Sequence, residues 1–200
     1  MGRKEQAAAS RAGLVEAARS CFTEHGYDAT TVAAILERAG MARGALYHYF
    51  PGGKAEIFAA VFDLVNDQYH RRRDALLSLP SALERLRGGA RVFLELCADE
   101  SFARISLADA PRLIPGQGER GSSYRLLGEQ LAEAIEAGEL RPMDLEAAAM
   151  ALYGAVRAGG EYVIASVDRP AAVATAVRTL DDLIEGLRPS RAPSRPARRR

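Results

Sequence analysis

The sequence predicts an all-α protein. Apolar residues recur three and four apart through most of the 200 residues, and no segment shows the period-two alternation of a half-buried strand. Glycine or proline stands where most of the helical runs stop. The hydrophobic fraction of 48% and charged fraction of 26% are ordinary for a folded chain, and the length suits one or two domains with a real core. The pattern divides into a three-helix unit over residues 1–53, a larger helical part over 54–187 and a tail over 188–200.

In chain order, residues 1–9 read as a loose basic arm. Ser10 starts a helix that sets Leu14, Ala17, Ala18, Cys21 and Phe22 on one face and ends at Gly26. Thr30 or Thr31 then offers a side-chain oxygen to free backbone N–H groups, which caps a second helix. Val32, Ile35, Leu36 and Ala39 form its apolar face, and Gly40 closes it, because a residue without a Cβ enters the left-handed conformation at least cost. Met41 fills the turn. A third helix runs from Arg43 to Phe50 and stops against Pro51-Gly52-Gly53. Two helices joined by a short glycine-containing turn form a helix-turn-helix, whose second helix enters the DNA major groove.

The third helix has two chemically distinct sides. Leu46 and Phe50 pack inward against Ile35 and Leu36, which leaves Arg43, Ala45, Tyr47 and His48 outward. Arg43 can donate two hydrogen bonds to a guanine edge, and small Ala45 suits contact with a thymine methyl. Tyr47 and His48 can donate to phosphates, which position a protein without reading sequence. Gly44 costs about 1 kcal/mol inside a helix, so close approach of another molecule is expected there. Thr31 and Lys54, at the starts of the flanking helices, complete the candidate DNA-binding set beside N–H groups that favour an anion.

From Gly26 through Thr30-Thr31, Ile35, Ala39-Gly40, Gly44, Leu46-Tyr47, Phe50 and Lys54, the chain resembles the TetR family of bacterial one-component transcription regulators. The resemblance is close over about the first quarter and extends to the remainder in helical layout. Two departures stand out: Ala42 occupies the place where the family usually has Ser or Thr, and Phe50 to Lys54 is one residue longer than its commonest form. The resemblance implies a helix-turn-helix DNA-binding domain followed by a helical ligand-binding and dimerisation domain. It also implies a homodimer on a palindromic double-stranded DNA operator, released by a small-molecule effector.

Lys54 to about Ser78 forms a long helix through Ile57, Phe58, Val61, Phe62, Leu64, Val65 and Tyr69, placed to connect the two parts. Arg71-Arg72-Arg73 reads as a solvated patch. After Pro80 a helix carries Leu83, Leu86, Val92, Phe93, Leu96 and Cys97, and Phe102 to Asp109 forms a short one that ends near Pro111. The glycine- and proline-rich stretch from Pro111 to Ser122 reads as a mobile loop. Tyr124, Leu127, Leu131 and Ile135 resume the helical period up to Gly138. Residues 145–164 are rich in alanine and glycine, which lets a second helix approach closely, and 171–187 repeat an apolar stripe. These two helices form a hairpin that serves either an internal core or a four-helix dimer interface, and the resemblance selects the dimer. The interface candidates are Met150, Gly154, Ala158, Val173, Val177, Leu180 and Ile184. Candidates for the effector pocket are Phe62, Tyr69, Phe93, Leu96, Phe102, Leu107, Tyr124, Leu127 and Tyr153, with Arg157 or Glu161 as polar ends.

Lys+Arg and Asp+Glu number 27 and 26, but the distribution is uneven. Residues 1–54 lean positive, 55–187 are acidic, and 188–200 hold arginines without an acid. Basic ends suit a DNA partner. The tail RPSRAPSRPARRR cannot bury a core and is expected to be disordered. No apolar run is long enough to span a membrane and no signal-peptide core opens the chain, so a cytoplasmic location without membrane contact is expected. Cys21 and Cys97 lack metal-ligand spacing, and neither a phosphate loop nor a cofactor motif occurs. An enzyme is disfavoured because His25, His48 and His70 stand far apart with no nucleophile–base pair among them. A ligand-independent architectural protein would leave the large C-terminal part without a task.

Overall fold

The computed structural model describes residues 2–114 and 122–189. Among the described residues the regular structure is all helical, joined by short turns, with no strand. The fold therefore agrees with the all-α expectation: an N-terminal helix-turn-helix unit followed by a helical C-terminal part.

α1 spans Arg3–Ala29, so the loose arm expected over residues 1–9 is helical from Arg3. The Gly2 N–H donates to the Glu5 carboxylate at 2.8 Å, and the alanines that follow have the highest helix propensity of any residue. The expected break at Gly26 is present inside the element as a residue with φ 74° and ψ 171°. α2 (Val32–Ala39) starts at Thr31, whose hydroxyl accepts from Ala34 N at 3.1 Å, and ends at Gly40 with φ 63° and ψ 34°. α3 is shorter than expected, Ala45–Tyr49, with Gly44 as its N-cap rather than an interior residue and Arg43 in the turn before it. α4 (Lys54–Asp74) runs on into a 3₁₀ turn at Ala75–Ser78.

The C-terminal part comprises α5 (Ala82–Leu96), α6 (Glu100–Phe102), a π-helical stretch over Ala103–Asp109, α7 (Ala110–Leu113), α8 (Ser122–Glu136), α9 (Leu145–Ala165) and α10 (Arg169–Glu185). Pro111 does not stop the helical path here. It occupies the first turn of α7, where proline's missing N–H is no loss. Residues 115–121 of the expected loop, and 190–200 of the expected disordered tail, lie outside the described residues.

Two apolar cores result, and α4 takes part in both. The first joins Leu14, Ala18, Cys21 and Phe22 of α1, Ile35 and Leu36 of α2, and Leu46 and Phe50 around α3 to Ile57, Phe58, Val61 and Phe62 of α4. Ile105 and Ala110 join it from the far part of the chain, so this core reaches beyond residue 53. The second gathers α5, α8, α9 and α10 around Leu86, Leu94, Leu131, Leu152, Leu180 and Ile184, with Val65 and Tyr69 of α4 packed against it.

Candidate nucleic-acid interface and effector cavity

The reading face is built by one fully buried pair. Leu46 and Phe50 are both 0% exposed, which fixes the rotation of α3 and turns Tyr47 and His48 outward, Tyr47 to 56%. Arg43 and Gly44 are exposed, Ala45 is half-buried, and Thr31 is exposed while its hydroxyl caps α2. Among the described residues nothing approaches the position of a Gly44 Cβ within 4 Å, so no packing among them demands a glycine there. Arg11 lies over the Phe50 ring at 4.8 Å, and Arg38 is bound to Glu24 through a 2.7 Å hydrogen bond. Those two guanidinium groups brace the unit.

Lys54 has a different position from the one expected. Its Nζ donates to Tyr27 O and Thr30 O, each at 3.0 Å, and lies 4.3 Å from the centre of the Tyr27 ring. The Gly53 residue before it, at φ 66° and ψ −136°, accommodates the additional residue in the 50–54 turn. The ammonium therefore ties the start of α4 to the end of α1 through two carbonyls, of which Tyr27 O also accepts from Thr30 N.

In the C-terminal part, one cavity opens among α4, α5, the π-helical stretch, α8, α9 and α10. Of the expected pocket residues, Phe62, Tyr69, Phe93, Phe102, Leu107, Leu127, Tyr153 and Arg157 line it. Leu96 and Tyr124 do not. Leu96 is buried at the end of α5 on a separate groove beside Arg19 and Gln68, and Tyr124 meets the Tyr153 ring edge-on at 5.7 Å. Glu161 is exposed and outside the lining. The sequence reading missed Asn66, Arg73, Ser106, Ser123 and Gln130, all polar groups on the wall. Asn66 and Gln130 carried a signal: each sits at helical spacing among apolar residues, four after Phe62 and three after Leu127.

The two regions meet through hydrogen bonds. Asn66 Nδ2 donates to Phe62 O at 2.8 Å and to the Ser106 hydroxyl at 2.9 Å, which ties α4 to the π-helical stretch on the cavity wall. On the other side of that stretch, Asp109 accepts from Tyr27 N at 3.0 Å and from Arg112 at 2.8 Å, and Arg112 also reaches Asp28 at 2.9 Å. Ser101 bridges to Arg19 at 2.7 Å and Thr23 at 2.9 Å. Gly26 is held at φ 74°, a left-handed conformation that favours glycine, with the exposed and movable Arg104 guanidinium beside it. π-Helical turns occur mostly as local insertions at functional sites.

Both thiols are buried. Burial pushes the Cys97 thiol up to about 12 against the opposing pull of Arg157, and burial also raises that of Cys21. Among the described residues no cluster of His, Cys, Asp or Glu could hold a metal ion, and no helix is long and apolar enough to cross a membrane.

Of the expected interface residues, Met150, Gly154 and Ala158 are exposed and Val173 and Val177 half-buried. Leu180 and Ile184 are not on the surface: with Ala172 and Ala176 they form the inward stripe of α10, and Ile184 reaches the cavity wall. The outward apolar residues of α9 and α10 include Tyr162 at 51% and Leu183 at 53%.

A helix-turn-helix carrying an exposed arginine, tyrosine and histidine, joined to a helical domain with a cavity, defines a DNA-binding regulator with a small-molecule compartment. Comparison with known proteins places it. Residues 14–61 match the family of bacterial regulatory proteins of the tetR type, and residues 83–187 match the tetracyclin repressor-like C-terminal domain. The chain belongs to the TetR family of transcriptional regulators. A probable HTH-type transcriptional regulator of Pseudomonas putida, ArpR, is 32% identical over 76% of this chain and 79% of its own length. The HTH-type transcriptional repressor AcnR of Corynebacterium efficiens is 46% identical over 26% of this chain, which spans only about a quarter (27%) of that relative. The transcriptional regulator FadR of Bacillus subtilis, solved in complex with stearoyl-CoA, superposes with a TM-score of 0.72 over 87% of this chain and 97% of its own, at 21% identity. At that identity the likeness shows the fold alone.

Proposed function

We propose that the protein is a ligand-responsive transcriptional repressor that binds a palindromic operator as a homodimer and leaves it when a small molecule fills the cavity. The observation that carries the reading is the division of α3: Leu46 and Phe50 wholly buried, Arg43, Tyr47 and His48 left in solvent. Two copies joined through the exposed faces of α9 and α10, where Gly154 and Ala158 permit close approach, present two such helices to half-sites about one helical turn apart or a multiple of that. The repressor assignment is supported by AcnR, which is named as one. The effector assignment is supported by the cavity, whose lining is mainly apolar with a few polar groups.

Coupling runs through shared structure. Phe62 packs in the DNA-domain core and also lines the cavity, and the Asn66–Ser106 hydrogen bond links the same helix to the π-helical part of the wall. A ligand that displaces that wall changes where α1 and α4 hold the reading helix. It acts only to the extent that it binds one arrangement better than the other, and about 1–3 kcal/mol of coupling is typical. The test is a gel shift of the full chain on its own upstream DNA, with and without cell extract. Retarded dimer complexes that extract releases are expected. A monomeric chain indifferent to every duplex overturns the reading, and binding that no extract affects removes the effector from it.

A further inference from the structure

The cavity wall is one-sided in charge. Arg73 and Arg157 reach it, and no carboxylate does among the described residues. Arg73 already has partners: it donates to Asp74 at 2.7 Å and lies 5.8 Å over the Tyr69 ring. Half-buried Arg157 has neither an ion pair nor a hydrogen bond among the described residues, and its buried neighbour Cys97 offers it no anion.

A second group on the same wall also lacks a partner. Gln130 of α8 is 8% exposed, lines the cavity, and makes no side-chain hydrogen bond among the described residues. Its amide therefore brings free donors and an acceptor to the cavity surface, where a ligand can take them up. Asn66 shows the contrast, with both its hydrogen bonds made inside the protein. The remaining wall is apolar and aromatic, with Phe93 and Phe102 edge-to-face at 5.9 Å and Leu107 beside them.

We propose that the ligand of this cavity is an organic carboxylate, its head group held by Arg157 and Gln130 and its apolar body seated against Phe93, Phe102 and Leu107. This rests on the effector reading above for its biological meaning but on the wall alone for its chemistry. A guanidinium by itself presents the forked pair of donors that a carboxylate accepts, an amide can add a further donor, and a charge-assisted bond is about twice as strong as a neutral one. The same anionic chemistry exists in the phosphates of a coenzyme A thioester, so the experiment separates the two.

Melting and calorimetric titration of the full chain should be run with decanoate and 4-phenylbenzoate, each beside its neutral amide, and with decanoyl-CoA. The expected result is stabilisation by at least one acid and none by its amide at equal concentration. Arg157→Gln should weaken that acid by about tenfold or more, Arg157→Lys by less, and Gln130→Leu should also weaken it. Unliganded melting of each variant reports its folding separately. Equal binding of acid and amide, no binding of either acid, or acid binding untouched by Arg157→Gln overturns the proposal. Decanoyl-CoA binding with decanoate inert overturns the carboxylate in favour of phosphate. Operator binding is followed in parallel: acid binding through Arg157 that leaves the operator complex intact removes the gating alone, and operator binding without any acid response removes this inference alone.

Discussion

The two cores of the molecule are filled differently. The N-terminal one is closed: Phe22, Phe50, Phe58, Leu14, Ile35, Leu46 and Ile57 are all nearly inaccessible, and Phe58 meets Phe22 and Tyr27 edge-on at 5.2 and 5.1 Å. The C-terminal one keeps an opening whose mainly apolar wall carries a few amides, hydroxyls and guanidinium groups. A closed core holds α3 in one orientation, which reading a DNA sequence requires. An incompletely filled core has alternative packings of similar energy, which responding to a ligand requires. α4 belongs to both, so its two ends are held to different tolerances.

The largest expected effect tests the closed core. Leu46→Ala should cost about 2–5 kcal/mol in urea or thermal unfolding, because the surrounding side chains cannot collapse into the space. Unchanged melting would show that the first core is as adaptable as the second. Lys54→Met should cost about 1–3 kcal/mol of stability, since carbonyls at the end of α1 lose a charged donor. The salt dependence of DNA binding should stay as in the wild type. A shallower slope with normal stability would return Lys54 to the phosphate backbone. Arg43→Ala should leave unfolding unchanged and remove about 1–3 kcal/mol of discrimination among operator variants, read by competition binding. Leu107→Ala, on the wall of the open core, should cost only about 1 kcal/mol, because its side chain is half-buried and has less apolar surface to lose. A loss as large as that of Leu46→Ala would abolish the contrast between the cores.

The smallest effect concerns reactivity. With the Cys97 thiol near 12, an aromatic disulfide reagent at pH 8 should find it inert in the folded chain and reactive once unfolded. The folded state keeps this proton to higher pH than the unfolded chain, whose thiol titrates near about 8.5. The contribution to stability is therefore complete below that value and is lost as pH rises towards 12.

The helical class, the helix-turn-helix and the outward set Arg43, Tyr47 and His48 were legible from residue order alone. Those features follow from local rules: periodicity, a threonine cap at Thr31 and a left-handed glycine at Gly40. Tertiary structure decided where long-range partners claim a side chain. Lys54 went to carbonyls 24 and 27 residues earlier, and Leu180 and Ile184 turned inward because Ala172 and Ala176 let α10 lie close against its neighbours. Residues 103–109 took a π-helical path, and the Asp109 carboxylate at its end accepts from Tyr27 N, 82 residues away in sequence. Spacing along a chain fixes which residues share a helix face; which surface that face meets depends on contacts that periodicity does not encode.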